Sequence, residues 1–319
     1  MDIALDMMGG DFAPIEAVKG LHAYLTGNNH PAKILCIGDE ALLKPLFEEY
    51  KIDSGSVQII HTTQVIGYHE HPAKAFKEKP QSSISLGFQL LATGKAGAFI
   101  SAGNTGAMLV GAMFSIKVIE GVQRPAIPTT LPRINGTTGL MVDVGLNADC
   151  KPQHLNQFAL LGSLYAAHIL GVQNPRVGLL NIGEEEGKGN ALSQSAYPML
   201  KENKKINFYG NVEGRDVIKD KADVIVCDGF AGNIVLKLLE SVYDLAVSRN
   251  LENDEIFSKF HYENYGGTPV LGVSKPVIIG HGISNGKAFC NMLLLAGKMI
   301  ETNICGVIAE AFAGMQENE

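Results

Sequence analysis

At 319 residues, the chain is long enough for one large α/β domain or for two smaller lobes around a cleft. Hydrophobic residues make up 46% and charged residues 18%, a mixture that excludes a disordered or fibrous protein. The formal net charge of −7 argues against nucleic acid as a general partner, although an acidic protein could still dock on a local basic patch. Because the five cysteines include no CxxC pair, we expect neither a disulfide framework nor a zinc site, and a reducing cytoplasm is the simplest setting.

The chain begins with MDIALD, which predicts a first strand and lacks the basic and apolar regions of a signal peptide. From there, short β-branched runs alternate with helical patterns. The expected strands are Ile3–Asp6, Lys33–Ile37, Val57–His61, Ala98–Ser101, Leu140–Val144, Val177–Ile182, Ile206–Tyr209, Val224–Cys227 and Val277–Ile279. The expected helices are Pro14–Thr26, Ser82–Thr93, Thr105–Ile119, Pro152–Leu170, Ala191–Glu202, Ile234–Ser248 and Lys287–Ala313. This alternation predicts an α/β fold of three layers, α/β/α, with a largely parallel sheet.

We expect one domain over residues 1–319, which could divide into two lobes around a cleft near the proline cluster at residue 130. Residues 249–263 are the most polar irregular stretch and predict a surface excursion. The stretch from Ala96 to Ile116 is uncharged over about the length that a bilayer requires. Its glycines, polar residues and change of period favour a buried strand followed by a buried helix.

Glycine-rich turns follow several of the expected strands. Ligands of open parallel sheets bind at the carboxyl ends of the strands, so these turns are the candidate site. The segments are Asp6–Pro14, Ser101–Ala107, Asp143–Pro152, Asn181–Asn190, Asp228–Lys237 and His281–Asn285. Together they predict a pocket that is rich in backbone donors, asparagine and aspartate.

The segment SAGNTGA, residues 101–107, has the pattern of a strand, a Gly-Asn-Thr-Gly turn and a helix. Such a turn directs free backbone N–H groups and the positive end of a helix dipole at an anion. Gly103, Asn104 and Thr105 are therefore candidate ligand-binding residues. The same pattern also fits an ordinary turn in which Asn or Thr caps the helix.

Lys188 and Asn233 lie in two other turns of this kind. The segment GEEEGKGN has one residue too few before its Gly-Lys pair for a Walker A motif, and glycine follows the lysine instead of Ser or Thr, so it is not a nucleoside triphosphate loop. Lys188 could still reach an anion, or could be a solvated lysine in a charged turn. Asn233 is expected at the start of a helix, where it would either cap the helix or direct its amide at a ligand.

Other chemistries have less support. The spacing of His69 and His71 suits a metal, but Pro72 favours a surface loop, and no metal site is expected. The sequence has no GxSxG motif and no cysteine beside a histidine, so a covalent nucleophile is not expected. No GxGxxG motif follows the first strand, which argues against a dinucleotide-binding lobe. His281 follows an apolar run and is either a site residue or a structural one. The interpretation that remains is a pocket that binds an oxyanion.

Taken together, the motifs resemble the bacterial acyl-[acyl carrier protein]:phosphate acyltransferases that begin phospholipid synthesis. The matches are ordered along most of the chain, which makes them far more specific than any one loop. They are DMMGGDFAP (6–14), KEKPQSSISL (77–86), SAGNTGAM (101–108), GVQRPAI (121–127), DVGLNADCKP (143–152), NPRVGLLNIG with EGKGN (174–190), GNVEGRD (210–216), DVIVCDGFAGNIVLK (223–237) and NYGGTPVLGVSKPVIIGHGISN (264–285).

The resemblance implies that inorganic phosphate attacks the thioester of a fatty acyl carrier protein, giving free carrier protein and an acyl phosphate for glycerophospholipid synthesis. It implies a fold similar to phosphotransacetylases and isocitrate-type dehydrogenases, a homodimer and no cofactor, and it agrees with the cytoplasmic location that the cysteines indicate. It also allows functional coupling to a membrane glycerol-3-phosphate acyltransferase. Lys188 and Asn233 would be catalytic. The substrate-binding residues would be Gly103, Asn104, Thr105, Asn147, Asn190, Gly229, Gly232, His281 and Asn285.

The chain departs from the family pattern at a few positions. Lys77 stands where arginine is frequent, Leu146 where alanine is usual, and Glu185 where threonine is usual. Some relatives also carry a longer apolar excursion between Val247 and Tyr262 that is associated with membrane contact. Here this stretch is short and acidic, which predicts weak or indirect membrane association.

An acidic carrier protein would need a basic docking patch, for which the chain offers two sets of lysines: Lys74, Lys77 and Lys79, or Lys201, Lys204 and Lys205. The acyl chain would need an apolar groove, for which Met108 to Phe114 are candidates, with core packing as the alternative. The competing functions are a small-acyl phosphotransacetylase that uses acyl-coenzyme A, an isocitrate-type oxidoreductase, and a non-enzymatic scaffold for the carrier protein.

Overall fold

The structure is a computed structural model that describes residues 1–251, 254, 256–260 and 266–316. By their contacts, these residues form two compact units. Unit 1 comprises residues 1–119 with the described part of 262–305, and unit 2 comprises the described part of 120–261 with the residues from 306 onward. The chain thus passes from unit 1 to unit 2 after residue 119, ahead of the proline cluster near residue 130 where we expected a boundary. The expected surface excursion at 249–263 lies partly outside the described residues.

Eleven strands and ten α-helices are present in the described residues. The strands are β1 (Ile3–Asp6), β2 (Ile34–Gly38), β3 (Val57–His61), β4 (Ala98–Ser101), β5 (Pro128–Pro132), β6 (Thr138–Val142), β7 (Arg176–Asn181), β8 (Asn207–Glu213), β9 (Val224–Val226), β10 (Gly267–Pro269) and β11 (Val277–Gly280). The helices are α1 (Ile15–Gly27), α2 (Glu40–Glu49), α3 (Pro72–Glu78), α4 (Ser83–Ala92), α5 (Thr105–Gly111), α6 (Pro152–His168), α7 (Ala191–Glu202), α8 (Gly229–Ser248), α9 (Gly286–Glu301) and α10 (Ile304–Gln316).

Each unit contains one sheet. In unit 1 the strand order is β10-β11-β4-β1-β2-β3, and in unit 2 it is β5-β6-β9-β7-β8. In both sheets one edge strand is antiparallel, β10 against β11 and β5 against β6, and the other pairs are parallel. This arrangement confirms the predicted mostly parallel α/β architecture.

Helices cover both faces of the sheets. In unit 2, α6 packs on the face of β6 and β9 that carries Val142 and Val224, since both side chains lie against its Gly162. The opposite face carries Met141 and Ile225, which pack with apolar residues of α8. In unit 1, α4 packs on β1 and β4, and α9 packs on the same strands and on α1. The alternation of side chains along each strand therefore produces the three layers.

Several predicted elements needed correction. The antiparallel edge strands β5 and β10 were not expected, because both contain proline, which is depleted in strands. The helices α2 and α3 were also missed; α2 contains Pro45 and α3 begins at Pro72. The helix expected from Ile234 begins at Gly229, and the helix expected over Lys287–Ala313 is two helices, α9 and α10.

The uncharged stretch from Ala96 to Ile116 contains β4, α5 and a π-helical turn at Ala112–Ile116, which confirms the predicted strand and helix. Within the described chain, we find no individual helix with the length and apolar character to cross a membrane. One bent pair, α9 with Ile304–Ala313, meets those two criteria when the helices are taken together, with an angle of 48° between them.

Candidate active site

The topology of the unit 2 sheet creates a crevice at the carboxyl ends of β7 and β9. From β7 the chain moves to β8 on one side, and β9 then returns to the other side of β7, between β7 and β6. Ligands of open α/β sheets bind at such a switch point. The loop after β7 carries Lys188, and the turn after β9 leads into α8, which carries Asn233. Unit 2 therefore brings the two predicted catalytic residues to the same edge of one sheet.

Lys188 is exposed, and no described residue forms an ion pair or hydrogen bond with its ammonium group. Its aliphatic stem lies on Gly183, where an added Cβ would come within 3.0 Å of Lys188 Cγ. Its backbone is held by two bonds: its N–H donates to Glu185 O at 3.1 Å, and its carbonyl accepts from Asn181 Nδ2 at 3.2 Å. Lys188 is therefore an unpaired cation on a fixed loop.

Asn233 does not cap its helix, which corrects one of the two predicted uses. The cap of α8 is Asp228, whose carboxylate accepts from the Ala231 N–H at 2.9 Å. Asn233 lies in the next turn, exposed, and its Nδ2 donates to Val144 O at 3.2 Å beside Gly145. This bond ties α8 to the turn after β6 and leaves the amide oxygen of Asn233 for a ligand.

Gly229 and Gly232 allow α8 to begin against the turn that follows β6. The Gly229 N–H donates to Asn147 O at 2.7 Å, and an added Cβ would lie 2.8 Å from that oxygen. At Gly232 an added Cβ would overlap Asp143 O. These glycines, predicted to bind substrate, serve close backbone packing in unit 2, and the Gly229 N–H is already bonded.

Asn147 and Asn190 also have internal partners. The buried Asn147 donates through Nδ2 to Asp143 Oδ2 and to Pro125 O, each at 2.8 Å, so both N–H groups of its amide are used. Asn190 caps α7, since its Oδ1 accepts from the Ser193 N–H at 2.9 Å. Both residues shape the loops around the crevice.

Unit 1 has a second switch point, between β1 and β4, where the predicted SAGNTGA turn lies. The Gly103 N–H donates to Ser101 Oγ at 3.0 Å, and Ser101 Oγ donates to Asp6 Oδ2 at 2.6 Å. Burial raises the pKa of Asp6. Gly9 covers this group, where an added Cβ would lie 2.6 Å from the Gly103 nitrogen. The Gly103 N–H is therefore not open to a ligand.

Asn104 caps α5, accepting from the Ala107 N–H at 2.9 Å, and its Nδ2 donates to Gly67 O at 2.9 Å. These contacts agree with the alternative prediction that Asn104 caps the helix. The N–H groups of Thr105 and Gly106 have no acceptor among the described residues. The open donors of the turn lie two and three residues beyond Gly103.

His281 and Asn285 lie in the loop after β11 of unit 1. His281 is exposed, and its carbonyl accepts from the Ser284 N–H at 2.9 Å. Asn285 caps α9 through the Ala288 N–H at 3.1 Å. His69 and His71, which precede α3, are exposed.

Two residues at these sheet edges were missed by the sequence reasoning. In unit 1, the Tyr68 hydroxyl donates to Ala102 O at 3.0 Å, and burial, followed by the nearby Asp11, raises its pKa. In unit 2, the exposed Arg124 has no partner among the described residues and lies near His154, whose pKa is lowered first by burial and then by Arg124. Arg124 is in the quoted GVQRPAI segment; no signal points to Tyr68.

One acidic cluster in unit 2 has the spacing of a metal site, since ligand atoms of Glu184, Glu213 and Asp216 lie within 4.8 Å of one another. Its charges are met by basic side chains. Lys221 Nζ lies 2.5 Å from Glu184 and 2.8 Å from Asp216, Lys219 lies 3.0 Å from Asp216, and Arg215 pairs with Glu213. Burial alone would raise the pKa of Asp216, but bonds from Lys221 and Lys219 outweigh it and lower this pKa. The cluster is an ion-pair network.

Similar solved structures define the fold. EutD phosphotransacetylase from Staphylococcus aureus has a TM-score of 0.63 at 15% identity, covering 94% of both chains. A phosphotransacetylase from Streptococcus pyogenes has a TM-score of 0.65 at 17% identity, again covering 94% of both chains. The chain therefore has the phosphotransacetylase-type α/β fold, as predicted.

Similar sequences identify the family. The profile of the family FA_synthesis, described as a fatty acid synthesis protein, matches residues 1–307. The phosphate acyltransferase of Dictyoglomus turgidum is 42% identical over 328 residues, covering 97% of both chains. That of Aquifex aeolicus is 42% identical over 321 residues, covering 94% of both chains. The chain belongs to this family and is an acyltransferase, which confirms the family expected from the motifs.

Proposed function

We propose that this protein transfers a fatty acyl group from acyl carrier protein to inorganic phosphate, giving an acyl phosphate for glycerophospholipid synthesis. The observation that carries the proposal is the unpaired ammonium of Lys188 at the switch point of unit 2. A cation without a counterion on a fixed loop suits a small anion. The relatives named phosphate acyltransferase point to phosphate as that anion.

In the proposed reaction, a phosphate oxygen attacks the thioester carbonyl carbon, the C–O bond forms and the C–S bond breaks. The sulfur leaves with the bonding electron pair and takes up a proton, giving the free carrier thiol. Phosphate is already a nucleophile, so the protein mainly has to hold and orient the two substrates. Lys188 would neutralise phosphate or stabilise the developing oxyanion, and Asn233 would orient phosphate or the carbonyl through its amide.

The role of the SAGNTGA turn stays a prediction. Because Gly103 donates internally, we infer that the N–H groups of Thr105 and Gly106 would be its donors to phosphate. A Thr105→Pro variant that keeps its phosphate KM would count against this inference.

The decisive experiment compares acyl donors. We expect the protein to release thiol from a fatty acyl carrier protein only when phosphate is present. Release from acyl-coenzyme A alone would instead indicate a small-acyl phosphotransacetylase. A nicotinamide-dependent change in absorbance would indicate an oxidoreductase, and carrier binding without phosphate-dependent release would indicate a scaffold.

Lys188→Ala tests the residue that carries the proposal. Loss of a comparable charge-stabilising donor lowers turnover by about 100-fold or more, and we expect that loss here. Lys95→Ala is the control, because Lys95 is an exposed lysine that precedes β4 at the amino-terminal edge of its sheet. Turnover near wild type in a folded Lys188→Ala protein would remove Lys188 from the mechanism.

For the carrier protein, we infer docking at Lys74 and Lys77. Both are exposed on α3 and have no partner among the described residues. Three of the other candidates are engaged: Lys79 pairs with Glu70 at 2.6 Å, Lys201 pairs with Glu186 at 2.9 Å, and Lys205 Nζ donates to Ala311 O at 2.6 Å. Attraction of an acidic carrier weakens with salt, so a donor KM that does not change with salt would contradict this surface.

The groove proposed for the acyl chain divides into two parts. Met108 and Ala112 are fully buried, in agreement with core packing. Leu109 and Val110 are partly buried, and Met113 and Phe114 are exposed within the π-helical turn, at 43% and 75%. We infer that Met113 and Phe114 contact the acyl chain, and an unchanged chain-length preference in Phe114→Ser would contradict this.

We further infer that the protein acts in the cytoplasm as a homodimer that associates only weakly with membranes. An apolar stripe on the exposed face of α8 supports the dimer; it comprises Phe230, Ile234, Leu238 and Leu245, which recur at helical spacing. Exposed contiguous apolar surface of this kind marks interaction sites. Strong direct binding to liposomes in a flotation assay would contradict the weak association.

A further inference from the structure

The loop that carries Lys188 is anchored by two asparagine side chains on neighbouring strands. Asn181 ends β7, and Asn211 lies in β8 with 3% of its surface exposed. The Asn181 Nδ2 donates to Asn211 Oδ1 at 3.0 Å, which joins the two amides. This pair stands at the carboxyl end of the unit 2 sheet, directly below the loop.

Each amide of the pair also holds one carbonyl of the loop. Asn211 Nδ2 donates to Glu185 O at 2.8 Å, and Asn181 Nδ2 donates to Lys188 O at 3.2 Å. The Lys188 N–H closes the loop by donating to the same Glu185 O at 3.1 Å. The backbone at both ends of the segment 185–188 is therefore fixed to the sheet.

Ion pairs outside the loop hold two of its three glutamates. Glu184 pairs with Lys221 at 2.5 Å, and Glu186 pairs with Lys201 at 2.9 Å. Lys221 is itself fixed, since it also pairs with the buried Asp216 at 2.8 Å. These pairs occupy two of the acidic neighbours that would otherwise compete for Lys188. The third, Glu185, forms no ion pair with Lys188 among the described residues, so the ammonium is left for an external anion.

A buried amide is costly unless its hydrogen bonds are satisfied, and a satisfied buried network makes its surroundings rigid. Asn211 uses both its oxygen and its Nδ2 in this way. We propose that Asn211, together with Asn181, is the positioning residue for Lys188: it fixes the loop so that the ammonium meets phosphate. The proposal rests on the role proposed above for Lys188, and Asn211 itself does not touch the reacting atoms.

Asn211→Asp is the main test, because it keeps the size and the oxygen that accepts from Asn181 but replaces the donor to Glu185 O by an oxygen that this carbonyl repels. Loss of one such bond corresponds to a change of roughly tenfold, and we expect the phosphate KM to rise by about that factor. The KM for the acyl donor should stay within about twofold. Amide hydrogen exchange should increase at residues 185–190 and stay unchanged elsewhere in unit 2.

Asn207→Asp is the matched control, since Asn207 lies on the same strand and donates to Asn174 O at 3.2 Å on the exposed surface. It should leave both KM values unchanged. If Asn211→Asp does not fold, Asn181→Asp takes its place; it keeps the acceptor for the Ile182 N–H at 2.8 Å and loses the donor to Lys188 O.

Combination with Lys188→Ala shows whether the effect passes through Lys188. We expect the phosphate KM of Asn211→Asp/Lys188→Ala to equal that of Lys188→Ala alone, because a positioning residue has nothing left to position. Additive effects would overturn the proposal, as would an unchanged phosphate KM in both folded asparagine variants while Lys188→Ala is impaired. Wild-type kinetics in Lys188→Ala would overturn the proposed role of Lys188 together with this inference.

Discussion

At the scale of single residues, the ability of a side chain to bind a ligand depends on whether its polar groups already have hydrogen-bond partners within the protein. Asn233 and Lys188 lie at one sheet edge with groups left over for a ligand, whereas Asn147 and Gly229 have internal partners. All four are polar or glycine residues in similar turns. Their difference arises from contacts across the fold, not from the turns themselves.

Gly189 provides a residue-scale prediction. Its φ of +98° is unfavourable for other residues, and an added Cβ would lie 2.4 Å from Asn181 Oδ1. We expect Gly189→Ala to displace the Lys188 loop and lower kcat/KM for phosphate by roughly tenfold or more. The measurement is steady-state kinetics with phosphate as the varied substrate.

Gly187→Ala is the control in the same loop, because no described residue other than its chain neighbours has an atom within 4 Å of the position that its Cβ would take, and its φ is not positive. This variant should behave as wild type. Equal kinetics in the two alanine variants would show that the loop backbone tolerates the change and that its geometry does not set phosphate affinity.

At the scale of elements, an ion-pair network joins the amino-terminal ends of strands in unit 2. The buried Arg133 pairs with Asp220 at 2.9 Å and Asp223 at 3.2 Å, and Arg176 pairs with the same two carboxylates. Arg133 follows β5, Arg176 begins β7, and Asp223 precedes β9. The network therefore connects the antiparallel edge of the sheet to its centre.

Asp223→Asn should lower the free energy of unfolding by about 2 kcal/mol or more, because it leaves the buried Arg133 with one partner fewer. Urea unfolding at neutral pH measures this loss. Asp220→Asn is the control: the Asp220 side chain is 48% exposed, against 12% for Asp223, so its loss should cost less. A larger loss in Asp220→Asn would contradict this ranking.

The contribution of Asp223 to stability depends on pH. Burial would raise the pKa of Asp223, but hydrogen bonds from Arg176 and Arg133 outweigh it and lower this pKa below its usual value. A lowered carboxyl pKa contributes stability above the unfolded value of about 3.9, and this contribution is lost as the pH falls through the folded value. Below about pH 4, stability should therefore fall more steeply in the wild type than in Asp223→Asn. Equal slopes would show that this carboxylate titrates normally.

The elements show how far the sequence allows prediction. The buried parallel strands were predicted because continuous apolar, β-branched runs are typical of strands covered on both faces. The start of α8 was missed because Gly-Phe-Ala-Gly-Asn has low helix propensity, and it forms a helix only because Asp228 caps it and its glycines pack on the turn after β6. Tertiary contacts decided that boundary.

The site shows the same limit. Lys188 and Asn233 were proposed as site residues from residue type and position after a strand, and their roles stay predictions. The occupied state of the Gly103 N–H could not be found, because its partner Ser101 Oγ is oriented by Asp6, which lies 95 residues from Ser101 in the chain. The Asn181–Asn211 pair likewise joins two strands 30 residues apart.

At the scale of the whole molecule, the stripe on α8 predicts self-association. Leu238 is 65% exposed at its centre, and a charge there would place a carboxylate in an apolar interface. We expect Leu238→Glu to convert a dimer into a monomer at micromolar concentration, as measured by sedimentation equilibrium. Leu42→Glu is the control, since Leu42 is 48% exposed on α2, away from the stripe. A wild-type monomer, or an unaffected dimer in Leu238→Glu, would contradict the assignment.

The continuity of α8 has a further consequence. The helix runs from Gly229 to Ser248 without a break or an internal proline, so it is about 30 Å long. Asn233 is near its first turn, and the stripe extends along the same helix to Leu245. A contact at the far end of this helix would therefore also affect the position of the Asn233 amide. In the proposed dimer, a change at the subunit contact should thus alter the rate of the proposed acyl transfer.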